Sequence, residues 1–498
     1  MTRQIRRLAV VLGLLFAALF VNLNVLQLVQ AEQLANDPNN RRVLIAQYEA
    51  ERGPILAADQ SVLAESVLTT NELPFERRYS GGDAAGARLW SHVTGYFSSV
   101  LARSGLEQAL NEELTGTPTE LLAQNLAELF GAADRPGDSV RITIDPAVQS
   151  AADVALGDRI GAVVALDPRT GAVLAHVSHP QYDPNPLSTT SRDAIPTMLD
   201  TWDQLRTDPT RPLVDRVRQE LYPPGSTYKL LVTAAALEDG MVVPTTAFPD
   251  EAQFQAADGQ PVRNYQDGPC ADGEAISLTD ALAVSCNAVF ARLGVELGAD
   301  RLRSISEAFG FNRTPPYELP TVESVYPRVF PTTGGEPSPA LVAQSAIGQF
   351  DVRATPLQMA MVVQAIVNDG VLLQPTVVQE VRDPSGRIVR SPQTRPWTEG
   401  RFAAEAVSPR TAQLLQELMV EAVSGRRATG GAAAISGVRV GGKTGTAQVP
   451  DQTPTAWFVG FAEDRVAVAV VVPDAGGDGG GAVAAPIARA VFEAVLRR

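Results

Sequence analysis

The chain has 498 residues, 45% apolar and 19% charged, with a formal net charge of −15. Such length and composition describe about two to four folded domains and exclude a disordered chain. The acidic balance argues against nucleic acid as a general partner.

Arg3, Arg6 and Arg7 precede an apolar run from Leu8 to Val21, and weaker apolar character continues to Val29. Leu8–Val29 is about as long as a bilayer core requires. Residues 1–7 therefore read as a cytoplasmic end and 8–30 as a single transmembrane anchor in the plasma membrane, with the remainder extracytoplasmic. A cleaved signal peptide is the alternative, although Val29-Gln30-Ala31 is a poor cleavage site. Either reading exports the rest, and outside the cytoplasm the two cysteines, Cys270 and Cys286, can form a disulfide. Two unrelated cysteines, one filling core space, are the other possibility.

Residues 31–150 have the texture of a smaller mixed domain. Strand-like pieces at Val43–Tyr48 and Val62–Ala64 are broken by Gly53-Pro54 and Glu72-Leu73-Pro74. A loop at Ser80-Gly81-Gly82-Asp83 leads to a helical stretch, Gly105–Glu113, and Leu121–Phe130 reads as another helix. The strand-like Ser139–Ile144 marks the exit, and Asp145-Pro146 can start a helix through Asp153. Residues 151–498 form the larger domain. It opens with strands Gly161–Leu166 and Ala172–Val177 around a turn-forming stretch. Mostly helical chain follows to about residue 435, then strands at Val438–Val449, Ala456–Ala462 and Val466–Val472. A glycine-rich loop, Gly476–Gly481, leads to a closing helix, Ala485–Leu496. Strands at both ends with helices between them predict one sheet covered by helices on both faces. His92, His176 and His179 read as exposed or capping residues. The last two point to opposite faces of a strand and make a poor metal pair. No Walker-type loop and no cofactor or metal motif appears.

Of 41 basic residues only Lys229 and Lys443 are lysines. Arginine stays protonated, whereas a buried lysine can shed its proton and act as a base. Lys229 lies three residues after Ser226, at the predicted start of a helix running to Asp239, so both share one face. A helix N-terminus favours developing negative charge, and a neutral amine one turn away can activate the hydroxyl. Ser285-Cys286-Asn287 follows a predicted helix, Leu278–Val284, and can aim Ser285 and Asn287 into one cleft. Lys443-Thr444-Gly445-Thr446 falls on a predicted strand, with Thr444 and Thr446 on one face. Those hydroxyls can hold a carboxylate beside Lys443, and Gly445 lets a substrate backbone lie close. The backbone N–H groups of Ser226 and Thr446 can form an oxyanion hole.

The three motifs in this order resemble the serine transpeptidase and β-lactamase superfamily. Tyr222–Lys229, Ser345–Gln349, Thr355–Ala360 and Ala456–Phe461 resemble segments of penicillin-binding proteins. Arg52-Gly53-Pro54-Ile55, Gly105-Leu106-Glu107 and Leu114-Thr115-Gly116 resemble the non-catalytic N-terminal module of the class B type, actinobacterial members most of all. After Arg52-Gly53 the family often carries an Asp-Arg-x-Gly run, where this chain has Ala57-Ala58-Asp59-Gln60. The resemblance implies an α+β transpeptidase domain, an antiparallel sheet between helices, on a smaller pedestal domain with one transmembrane helix. It implies D-alanyl-D-alanine transpeptidation of peptidoglycan stem peptides onto an amine acceptor. Ser226 would be nucleophile, Lys229 base, and Ser285, Asn287 and Lys443 the remaining catalytic residues. Thr444, Gly445 and Thr446 would bind substrate, β-lactams would acylate Ser226, and division or elongation machinery would be the partner. A D,D-carboxypeptidase and a non-catalytic β-lactam- or muropeptide-binding scaffold are the alternatives. A β-lactamase would need a Glu-x-x-x-Asn segment that the chain lacks.

Overall fold

The computed structural model describes residues 2–30, 48, 50–116, 136–265, 267–399, 403–448, 453–476 and 479–498. The expected helix Leu121–Phe130 and all but Tyr48 of the strand Val43–Tyr48 lie outside the described residues.

Helix α1 (Thr2–Asn24) continues as a π-helical turn over Val25–Val29, and Arg3–Gln27 is long and apolar enough to cross a membrane. Leu14, Phe16 and Phe20 are 66%, 71% and 68% exposed, so α1 is not a core helix. Next come β1 (Ile55–Leu56), β2 (Val62–Leu68), β3 (Phe75–Tyr79) and β4 (Ser139–Ile142). Strand β1 lies antiparallel to β2 and parallel to β4. Two strands from far downstream, Val378–Arg382 and Ile388–Arg390, complete this sheet on the β4 side. The loop expected at 80–83 ends in a helix that the sequence reading missed, Ala84–Thr94. The Asp83 carboxylate caps it by accepting from the amides of Ala85 and Gly86. Beneath the sheet, the buried Glu107 carboxylate accepts from Arg52 Nε at 2.5 Å and Arg77 Nε at 2.6 Å. Burial alone raises the Glu107 pKa, but the two guanidinium groups outweigh it and the pKa is lowered. Arg52 and Glu107, which carry the N-terminal resemblance, thus meet although the run after Gly53 departs from the family pattern.

The larger domain holds helices α2 (Pro146–Leu156), α3 (Lys229–Glu238), α4 (Leu278–Ala283), α5 (Asn287–Leu297), α6 (Pro356–Val367), α7 (Pro409–Ser424) and α8 (Ala484–Leu496). Its sheet joins β5 (Gly161–Leu166) and β6 (Val173–His179) to β7 (Val440–Ala447), β8 (Thr455–Ala462) and β9 (Val466–Val472). The order is β7-β8-β9-β5-β6, every neighbouring pair antiparallel. Alternate residues enter separate cores, as period-two geometry demands. Val163, Phe458, Val468 and Val470 pack with residues of α2 and α8, including Val148 and Phe492. Val164, Trp457, Val459 and Ala469 enter the other core with α3 and α6. From Pro356 to Ile366 helix α6 is buried on all sides, as its mostly apolar sequence requires, and its two glutamines are satisfied by the carbonyls of Phe309 (from Gln358) and Pro168 (from Gln364).

The histidines depart from expectation. His92 and His176 are buried. His176 Nε2 lies 2.9 Å from the Asp215 carboxylate and Nδ1 lies 3.3 Å from Tyr317 Oη. His92 Nε2 donates to the Pro180 carbonyl at 3.0 Å, and burial lowers its pKa to about 4. His179, pointing away from His176, meets Asp153 of α2 at 2.7 Å. Buried partners on distant segments decide these environments, and the strand pattern alone does not reveal them.

Candidate active site

Seven separate segments of chain build one cleft of about 530 Å³, lined by Ser226, Ser285, Asn287, Thr444 and Thr446 among others. Ser226 does not begin the α-helix as expected. It lies in a 3-10 turn, Gly225–Tyr228, and α3 starts at Lys229. Gly225 has φ +53°, and its amide donates to the Gly348 carbonyl at 3.0 Å. A Cβ on Gly225 would sit 3.1 Å from Ala447 Cβ, so glycine lets the turn press against β7. Gly445 serves the same contact from the strand side. A Cβ there would meet the Pro224 carbonyl oxygen at 2.9 Å and Thr227 Cγ2 at 3.0 Å. On this face the space beside Gly445 is filled by the Ser226 turn, because β7 packs on that turn, while the outer edge of β7 has no strand partner in the sheet among the described residues.

Lys229 is wholly buried beneath the cleft. Its amine donates to the Ser285 carbonyl at 2.8 Å and to Asn287 Oδ1 at 2.7 Å, and lies 3.3 Å from Ser285 Oγ. Burial, and secondarily the charge of Lys443, pull its pKa well below the usual lysine value. Two N–H groups pointed at carbonyl-type oxygens leave a neutral amine one lone pair for a hydroxyl proton. Among the described residues its hydrogen bonds go to Ser285 and Asn287, not to Ser226. Catalytic hydrogen bonds are often long before substrate binds.

Ser285 owes its position to the way α4 ends. The Cys286 amide bonds to the Ala281 carbonyl at 2.8 Å and the Ser285 amide to the Leu282 carbonyl at 3.2 Å. This is a Schellman ending, whose left-handed residue is usually glycine; here Ser285 takes it with φ +63°. Cys286 precedes α5, and its disulfide to Cys270 (Cα–Cα 5.7 Å) ties this junction to the preceding loop, as the cysteine count allowed. Asn287 opens α5, with Nδ2 donating to the Arg263 carbonyl at 2.8 Å.

On β7, Lys443 is wholly buried and donates to the Thr444 carbonyl at 2.9 Å. Burial brings its pKa down to about 7. Thr444 Oγ1 donates to Thr429 Oγ1 at 2.7 Å, and Thr446 Oγ1 accepts from the Gly480 amide at 3.4 Å. Ser226, Ser285, Asn287, Thr444 and Thr446 thus share the cleft, while the two amines lie behind its wall and Gly445 faces the nucleophile turn. Sequence reasoning missed Tyr265, Thr429 and Gln349, which also line it. It noticed the glycine-rich loop but assigned no role to Gly479–Gly481, which form part of the wall. Glycine density was the available signal for the loop; Thr429 carries none, since only the fold brings it to Thr444.

Residues 161–493 match the family described as penicillin binding protein transpeptidase domain, and residues 52–140 the penicillin binding protein A dimerisation domain. The chain is 40% identical over 521 residues to the peptidoglycan D,D-transpeptidase PbpA of Mycolicibacterium smegmatis, covering 100% of this chain and 99% of that protein. The PbpA of Mycobacterium tuberculosis is 37% identical over 522 residues, with the same coverage. Penicillin-binding protein A from M. tuberculosis, solved as a ceftriaxone acyl-enzyme complex, superposes with a TM-score of 0.81 at 36% identity, covering 91% of this chain and 100% of that one. Its penicillin G acyl-enzyme complex gives 0.78 at 36% identity, covering 90% and 100%. Fold, motif order and full-length similarity agree: the chain belongs to the penicillin-binding protein transpeptidase family.

Proposed function

We propose that this protein is a membrane-anchored serine D,D-transpeptidase that cross-links peptidoglycan stem peptides and is acylated by β-lactams. The carrying observation is the buried Lys229 amine, held by Ser285 and Asn287 behind a cleft that Ser226 lines. Ser226 Oγ attacks the carbonyl between the two terminal D-alanines and passes its proton to the neutral Lys229 amine. The amides of Ser226 and Thr446 hold the oxyanion. As the C–N bond breaks, D-alanine leaves with a proton relayed through Ser285, and Lys443 keeps the potential positive. Thr444 and Thr446 hydroxyls receive the terminal carboxylate. An amine from a second stem then takes the acyl group and frees Ser226. Helix α1 anchors the chain with its arginine-bearing end in the cytoplasm, and the disulfide suits an extracytoplasmic catalytic domain.

The test uses the full chain in detergent. Mass mapping of a β-lactam adduct should find Ser226 modified, and Ser226→Ala should take no label. With a D-alanyl-D-alanine peptide and an amine acceptor, the amide product should dominate; hydrolysis alone would assign the protein as a carboxypeptidase instead.

A further inference from the structure

The two amides assigned to the oxyanion hole come from different segments, Ser226 on the turn Gly225–Tyr228 and Thr446 on β7. How far apart they stand depends on how the turn docks on the sheet. Pro223 and Pro224, which lead into the turn, have no N–H and cannot donate to the sheet themselves. The donor comes from the sheet: Trp457 Nε1 on β8 bonds to the Pro223 carbonyl at 3.0 Å. Among the described residues this is the one hydrogen bond between residues 222–228 and the strands of the catalytic sheet. Other bonds of the same segment run elsewhere, from Tyr222 to Ala354, from Gly225 to Gly348 and from Tyr228 to Ser306. Trp457 lies directly opposite Gly445 in the antiparallel pair, so both residues share one face. Gly445 has no side chain to block the path of the indole; a Cβ there would meet Trp457 Cβ at 3.0 Å. Trp457 is wholly buried, and its ring meets Tyr222 edge-on with centroids 6.2 Å apart, so packing aims the N–H at Pro223.

We propose that Trp457 is a positioning residue for acyl transfer: its indole N–H holds the nucleophile turn against the sheet so that the Ser226 and Thr446 amides converge on one oxygen. The proposal rests on the transpeptidase reading and deepens it. In the step served, Ser226 Oγ forms a bond to the carbonyl carbon, the C=O π pair moves onto oxygen, and the Oγ proton passes to the Lys229 amine. No further reactant is needed. Trp457 touches neither the substrate nor the reacting atoms. Without its N–H the Pro223 carbonyl loses its donor and the turn is free to lift from the sheet. The Ser226 amide then tilts away from the oxygen that Thr446 still holds. A ground-state carbonyl carries little charge, so initial binding is nearly unaffected and the loss falls on the chemical step.

The test compares the native full chain in detergent with two variants at position 457. One is Trp457→Phe; the other carries a tryptophan analogue with sulfur in place of the indole N–H, inserted at that codon alone because the chain has 4 tryptophans. Acylation by a β-lactam is resolved into the pre-covalent Kd and the acylation rate constant. The infrared carbonyl stretch of the acyl-enzyme is then recorded with an isotope-labelled β-lactam. Donors to the acyl oxygen weaken its C=O bond and lower the stretch, so the spectrum reads the oxyanion hole itself and sees acylated molecules alone. Both variants should acylate about tenfold more slowly, short of the ~10²–10³-fold loss on removing such a donor outright. Kd should be unchanged and the stretch should move to higher wavenumber. If Trp457→Phe does not fold, the sulfur analogue, which keeps the shape of the ring, decides. A slower rate with an unmoved stretch, as a merely structural role would give, overturns the positioning role, and so does no change in either. Failure of the native protein to acylate at Ser226 would instead overturn the transpeptidase reading, and a native stretch equal to that of the denatured adduct would overturn the oxyanion hole.

Discussion

The Lys229 amine is bounded by the Ser285 carbonyl, the Asn287 amide oxygen and the Phe290 ring, whose centroid lies 5.4 Å away. No carboxylate bonds to it among the described residues, and the nearby charge that matters, Lys443, is of like sign. Burial and repulsion act in one direction, toward the neutral base. An arginine here keeps its proton at any working pH. Lys229→Arg should therefore slow β-lactam acylation by about 10²–10⁴-fold, the usual contribution of a general base, while near-native acylation would show that only charge is required. The pH dependence follows from the same two amines. Because the Lys229 pKa is lowered, acylation should hold at neutral pH and fall on the acid side, as the amine gains its proton. Removing the Lys443 charge removes one cause of that lowering, so the Lys229 pKa rises. In Lys443→Met the acid limb should move to higher pH, measured as acylation rate against pH; an unmoved limb would show that burial alone sets the Lys229 pKa.

At the scale of elements, the site depends on how helices end and strands approach. The α4 terminus rotates the Ser285 carbonyl toward Lys229 by placing Ser285 in the left-handed region, φ +63°. A non-glycine residue there costs about 1–2 kcal/mol, so function is held against local preference. Ser285→Gly should thus raise thermal stability, by about 1 kcal/mol, and impair acyl transfer through loss of the hydroxyl. A melt and an acylation assay on one sample separate the two effects, and a lower melting temperature would contradict the strain argument. Ser226, Ser285, Asn287, Thr444 and Thr446 were legible as candidates because their motifs are short and each is carried by one local element: the turn before α3, the junction of α4 and α5, and strand β7. The strands β5, β8 and β9 were legible too, since both faces are buried and the chain reads there as nearly continuous apolar runs. The packing of Gly445 on the Ser226 turn was not legible, because that turn comes from a segment more than 200 residues away. Thr429 and Tyr265 had no local pattern, and only tertiary packing selects them.

For the whole molecule, the least legible feature is how the pedestal sheet is completed. Val378–Arg382 lies deep in the transpeptidase portion of the chain, yet it pairs with β4, Val378 opposite Ile142 and Val381 opposite Val140. The sequence reading left that segment within mostly helical chain, because the strand is defined by a partner that lies more than 200 residues upstream. The Thr143 hydroxyl strengthens the junction by donating to the Val173 carbonyl of β6 at 2.7 Å. The pedestal and the transpeptidase portion are therefore joined by a shared sheet in addition to the linker, which makes the pedestal part of the catalytic domain's support. A truncated chain of residues 146–498 keeps every catalytic motif but deprives Val378–Arg382 of β4. Val378 and Val381, 1% and 0% exposed in the intact protein, then face solvent along an unpaired strand edge. Losing the burial of two valine side chains costs roughly 3 kcal/mol or more. Relative to a chain lacking only residues 1–30, the truncated form should melt at lower temperature and self-associate in light scattering. Should it remain monomeric and melt unchanged, the shared sheet would contribute no stability, and the pedestal would be an appendage rather than a brace.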